Sequence, residues 1–112
     1  MTIYEKPTCT TCRKVNKMLE DKGIDLNKVN YYIEPFTEQK LKRLLKKMNM
    51  TAAELLRKRE KSAKSINVKK ATDKNIIKMM IKNPDLIERP IIEMGNKAIL
   101  ARPPEKINEL FD

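Results

Sequence analysis

The sequence predicts an α/β fold: a small mixed four-stranded sheet, with a helical insertion between a β-α-β half and a β-β-α half. Three observations carry this reading. A strand signal, a helical period and a second strand signal follow one another over residues 2–32. A hairpin signal, apolar runs on either side of Gly95-Asn96, closes the chain over 90–101. Between them lies a stretch of helical periods, each introduced by a capping threonine. The 2 glycines and the lack of low-complexity sequence leave most of the chain for regular structure. At 112 residues it is read as one domain, 1–112, with the insertion at about 37–87.

In order, Thr2 to Glu5 reads as a short buried strand. Thr10 to about Lys22 reads as a helix with Val15, Met18 and Leu19 apolar, stopped near Gly23. Asn27 to Tyr32 has the alternation of a second strand, and Glu34-Pro35-Phe36 is a turn. Thr37 caps a helix whose stripe is Leu41, Leu44, Leu45 and Met48, and Thr51-Ala52-Ala53-Glu54 is a capping box opening another through Leu56. Residues 58–70 read as a charged, irregular connection. Thr72 or Asp73 caps a helix with Ile76, Ile77, Met80 and Ile81, stopped by Asn83-Pro84-Asp85. Strands follow at Pro90 to Glu93 and Ala98 to Ala101, and Pro103-Pro104-Glu105 starts a terminal helix with Ile107, Leu110 and Phe111 apolar. Met48, Met79 and Met80 read as core packing at helical spacing. This element order is the thioredoxin-like arrangement: βαβ supplies two parallel strands and the closing hairpin adds antiparallel ones.

The two cysteines, Cys9 and Cys12, form a CxxC where the first strand gives way to the first helix. Cys9 then lies beside unpaired backbone N–H groups and the positive end of the helix dipole, which favour thiolate over thiol. Arg13 and Lys14 add positive charge. Cys12, one turn in, can close a disulfide. Cys9 reads as an activated nucleophile and Cys12 as its resolving partner. Two alternatives exist: the thiols could pack as small hydrophobes, or hold zinc. Zinc normally takes four Cys or His ligands, and with no histidine the chain would need a partner copy or carboxylates. No metal is therefore expected.

Charge is lopsided, 25 Lys plus Arg against 15 Asp plus Glu, a formal +10 that attracts anions. Lysines such as Lys40, Lys42, Lys46 and Lys47 read as solvated helix faces. With 3 Tyr, 2 Phe and no Trp, a base-stacking platform is poorly supplied, and no recognition-helix pattern points to direct nucleic-acid binding. The absence of histidine excludes Ser-His-Asp and Cys-His catalysis. No apolar run approaches the ~20 residues that span a bilayer, and residues 1–6 have no signal-peptide core. A cytoplasmic monomer without membrane attachment is expected, a setting in which paired cysteines are catalytic or sensing.

Arg89-Pro90 and Arg102-Pro103 each hold an arginine extended at an element boundary. Proline makes a cis Arg89-Pro90 bond accessible.

Thr8-Cys9-Thr10-Thr11-Cys12-Arg13, Leu55-Leu56-Arg57-Lys58, Glu88-Arg89-Pro90-Ile91 and Ala101-Arg102-Pro103-Pro104-Glu105 together resemble the glutaredoxin-coupled arsenate reductase (ArsC) family and its Spx-type relatives. The resemblance runs over nearly the whole chain, in order. It implies Cys9 as nucleophile and Arg57, Arg89 and Arg102 as an oxyanion site, with Pro90 structural beside it. Three guanidinium groups suit a tetrahedral oxyanion through fixed, charge-assisted donors. The chain departs from the reductase pattern at Cys12, where those enzymes commonly carry Ser, and at Glu5, where they often carry His. The full CxxC is similar to the Spx branch; the Arg102-Pro103-Pro104-Glu105 end is reductase-like. The resemblance implies a thiol oxidoreductase acting on an oxyanion, arsenate foremost. It also implies that no cofactor is bound and that glutathione or glutaredoxin serves as reductant. The alternative it implies is a redox regulator that binds RNA polymerase through a Cys9–Cys12 switch.

Overall fold

The computed structural model describes residues 1–67 and 69–111. The chain divides into two compact units: Met1–Glu34 with Arg89–Asp112, and Pro35–Glu88. No helix among the described residues is long and apolar enough to cross a membrane.

In the first unit, strand β1 (Thr2–Glu5) leads into helix α1 (Thr10–Asp21), followed by β2 (Asn27–Asn30), β3 (Ile91–Met94) and β4 (Lys97–Leu100). The sheet order is β2-β1-β3-β4. β1 runs parallel to β2 and antiparallel to β3, with Ile3 opposite Ile92, and β3 pairs antiparallel with β4. Helix α1 buries Cys12, Val15 and Leu19, spaced three and four apart so that they share one face. Ile3, Val15, Leu19, Ile92, Ala101, Ile107 and Leu110 form the core between sheet and helix. The helix ends where Gly23 takes φ +77°. There the Gly23 N–H reaches the Glu20 carbonyl and the Ile24 N–H the Leu19 carbonyl.

The second unit holds α2 (Glu38–Met48), α3 (Ala52–Leu55) and α4 (Asp73–Lys82). Thr37 Oγ1 caps α2 by accepting from the Lys40 N–H, and Thr51 and Glu54 form the reciprocal capping box of α3. Thr72, not Asp73, caps α4, accepting from the Asn75 N–H. Residues Lys61–Ser65 and Pro84–Leu86 are 3₁₀ turns. A bridge between Leu56 and Ile87 ties the ends of the unit together, flanked by Arg57 N–H to Leu86 O and Glu88 N–H to Leu55 O.

Four expectations need correction. β2 stops at Asn30 instead of Tyr32, because Asn30 turns the chain: its Oδ1 accepts from the Tyr32 N–H and its carbonyl from Ile33 and Glu34. The connection expected to be irregular over 58–70 contains the 3₁₀ turn at Lys61–Ser65. The terminal helix is 3₁₀ over Pro104–Leu110, and its buried residues Ile107 and Leu110 lie three apart, the 3₁₀ period. Met79 is exposed while Met80 is buried, since the inward face of α4 is the one carrying Ile76, Ile77 and Met80, and Met79 falls outside it.

Candidate redox site

Sheet topology gathers the site. β1 and β2 run parallel and end at the same edge, and β3, antiparallel to β1, begins there. β4 returns to that edge, Leu100 opposite Ile91. The segments after β1 (Cys9, Cys12), after β2 (Tyr31, Tyr32), before β3 (Arg89, Pro90) and after β4 (Arg102) therefore meet at one end of the first unit. Arg89-Pro90 and Arg102-Pro103 are both cis.

Cys9 is the N-cap of α1, half-buried, and its Sγ accepts from the Cys12 N–H at 3.3 Å. Burial works against its ionisation. Hydrogen bonds from the Cys12 thiol and N–H, then from the Arg89 guanidinium with its charge, outweigh burial and hold the Cys9 thiol below its ordinary pKa. Cys12 behaves oppositely. It is fully buried and donates to Cys9; burial, that bond, and the charges of Cys9 and Glu5 push it up to about 12. Of the two thiols Cys9 is therefore the one that ionises first, with the Cys12 thiol donating to it. Neither forms a disulfide.

Arg89 and Glu5 are the buried charged side chains among the described residues. Arg89 Nη1 donates to Tyr32 Oη at 3.3 Å, and Tyr31, itself raised in pKa by burial, also bonds the guanidinium. Burial opposes the charge of Arg89, but Tyr31, Tyr32 and Cys9 raise its pKa. Its Nε is buried without a partner. The two tyrosine rings stack with centroids 5.1 Å apart, and Lys6 Nζ sits 4.9 Å over Tyr32. Arg102 Nη1 donates to the Arg89 carbonyl at 2.8 Å, bracing the backbone that presents Arg89. Pro90 is buried, its carbonyl accepting from the Ala101 N–H.

The other predicted residues lie as follows. Arg13 is exposed on α1, and its backbone N–H donates to the Cys9 carbonyl. Arg57 belongs to the second unit, where its Nη1 lies 3.7 Å from Glu60 and its Nε is buried without a partner. Among the described residues no cluster of three or more Cys, Asp or Glu could hold a metal ion. Tyr31, Tyr32 and Asn16 escaped sequence reasoning. The two tyrosines looked like strand residues, and the available signal was their adjacency in a chain so poor in aromatics. Asn16 sits one turn after Cys12 on the same helix face, where its Nδ2 donates to the Glu5 carboxylate.

A CxxC at a helix N-terminus on this mixed sheet, its first thiol lowered in pKa beside a buried arginine, is a candidate thiol-redox site on a thioredoxin-like fold. More narrowly, the family model of the ArsC family matches residues 4–110, and the chain belongs to that family. It is 34% identical over 111 residues to the protein YfgD of Escherichia coli strain K12, covering 96% of this chain and 93% of the relative. It is 32% identical to global transcriptional regulator Spx 1 of Oceanobacillus iheyensis, over 82% of this chain and 72% of that one. Among solved structures, an arsenate reductase from Vibrio cholerae superposes with a TM-score of 0.90 at 30% identity, covering 97% of each chain.

Proposed function

We propose that the chain is a thiol-dependent oxidoreductase whose Cys9 thiolate attacks a tetrahedral oxyanion, arsenate foremost. The observation that carries this reading is the Cys9 thiol held below its ordinary pKa with the buried Arg89 beside it. A nucleophile and a cation at one point suit an anionic electrophile, and the unpartnered Nε of Arg89 is a donor in reserve. Arg102, which braces Arg89, supplies the second guanidinium.

In the first step Cys9 Sγ bonds to arsenic(V), and one arsenate oxygen leaves as water after protonation. The arginines offset the charge that builds up on the remaining oxygens. A second thiol, glutathione or Cys12, then attacks the Cys9 sulfur. The S–S bond forms, the S–As pair passes to arsenic, and arsenite leaves as arsenic(III), two thiols having supplied two electrons. Glutathione or glutaredoxin returns the disulfide to thiols. Part of what keeps Cys12 protonated is the Cys9 thiolate itself; once Cys9 is bonded to arsenic, that part disappears.

The test is arsenite formation by the purified chain supplied with arsenate, glutathione and glutaredoxin. Turnover is expected, and Cys9→Ser abolishes it. Arg89→Ala, which removes a charge-assisted donor worth roughly 1.5–3 kcal/mol, weakens oxyanion binding about 10- to 100-fold. Lys46→Ala, an exposed helix position, leaves binding nearly unchanged. Arg57→Ala asks whether the third arginine of the family pattern takes part. The similarity to Spx 1 and the Cys12 thiol hydrogen-bonded to Cys9 support a second reading, a redox regulator of RNA polymerase. Polymerase capture that depends on the Cys9–Cys12 redox state, without turnover, would put that reading first.

A further inference from the structure

The proposed reaction leaves the buried carboxylate of Glu5 without a task. Glu5, at the end of β1, is 6% exposed, and no salt bridge joins it to a cation among the described residues. Its bonded neighbour is Asn16 Nδ2, whose own Oδ1 is buried without a partner. Asn16 and Cys12 are four residues apart on α1, so the carboxylate that holds Asn16 lies against the helix face that carries Cys12. The charge of Glu5 acts on the Cys12 thiol of α1 and on the exposed Lys28 of β2. Cys12 has no solvent exposure, so its proton needs an acceptor inside the protein.

We propose that Glu5 is the proton acceptor for Cys12 when Cys12 resolves a mixed disulfide on Cys9. This rests on the reading above only in taking Cys9 as nucleophile and Cys12 as resolving thiol. Cys12 Sγ attacks the Cys9 sulfur, and the Cys9–Cys12 bond forms as the bond to the small thiol breaks. The small thiol leaves as thiolate, and the Cys12 proton passes to the Glu5 carboxylate. No net oxidation occurs, because one disulfide is exchanged for another.

The experiment is rapid quenching of the reduced chain with oxidised glutathione, with mass spectrometry separating the Cys9 mixed disulfide from the closed Cys9–Cys12 disulfide. Cys12→Ser reports the first attack alone. Glu5→Gln is expected to accumulate the mixed disulfide and to close about 100-fold more slowly at neutral pH. Its closure rate should rise about tenfold per pH unit as Cys12 loses its proton to hydroxide, whereas the wild-type rate is less steep. Glu5→Asp should recover most of the rate. Closure by Glu5→Gln at the wild-type rate or faster overturns the proposal: a carboxylate acting only as a nearby negative charge opposes the Cys12 thiolate, so its removal would speed closure. If Glu5→Gln does not fold, the wild-type profile decides. A wild-type rate climbing tenfold per unit from about pH 6 to pH 9 means the proton leaves to solvent, which also overturns it. Arsenate takes no part, so a failure of arsenate reduction leaves this result standing. A Cys12→Ser chain that forms no mixed disulfide would overturn the role of Cys9 instead.

Discussion

Cys9 and Cys12 start from the same thiol chemistry and are driven in opposite directions by three residues of helix. Cys9 stands outside the first turn, where it receives the Cys12 N–H and thiol and faces Arg89. Cys12 stands inside it, where it must donate and is cut off from water. Arg89 links this asymmetry to anion binding, since one guanidinium both favours the thiolate and would hold its target. Arg89→Ala is therefore expected to raise the Cys9 pKa and slow its alkylation at neutral pH, read from thiolate absorbance against pH and from iodoacetamide kinetics. A Cys9 midpoint unchanged in the variant would show that the helix terminus alone ionises the thiol.

At the scale of elements, stability is written in the ends of helices. Gly23 has φ +77°, and an added Cβ would meet nothing within 4 Å. The cost of Gly23→Ala is therefore backbone strain alone, about 1 kcal/mol. Thr37→Ala, which removes the α2 cap, should cost a similar amount. Asn49, at φ 55°, closes the other end of α2 in the left-handed region, so Asn49→Gly should stabilise slightly. Urea unfolding reads all three as shifts of midpoint at constant slope. A Gly23→Ala midpoint equal to wild type would mean that the α1 terminus relaxes without strain.

Across the whole molecule, the buried acids set the alkaline limit. Cys12 moves from an ordinary 9.0 to about 12, and burial raises Tyr31 as well. The folded chain then holds protons that the unfolded chain has already lost. The stability contributed by the neutral Cys12 is complete below about pH 9 and declines as pH rises toward about 12. Melting temperature should fall across that window, and Cys12→Ser, whose hydroxyl does not titrate there, should fall less steeply. Parallel declines in the two chains would assign the alkaline loss to other groups, Tyr31 first.

Local signals alone determined much of this protein. Thr37 and Thr51, Gly23 and the Gly95 turn mark their element ends through short-range hydrogen bonds and allowed φ values, which need no distant partner. The position of Cys9 at a helix N-terminus was legible for the same reason. Tertiary structure decided what those signals do not contain. The end of β2 was set by a side chain of Asn30 folding back on its own turn, and the exposure of Met79 by which face of α4 is turned inward. The meeting of Arg89, Tyr31 and Tyr32 with Cys9 depends on strand pairings such as Ile3 with Ile92. The polarity of Cys12 was decided in the same way, because its pKa depends on burial and on Glu5 and Cys9 around it, and burial belongs to the assembled fold and not to any one segment.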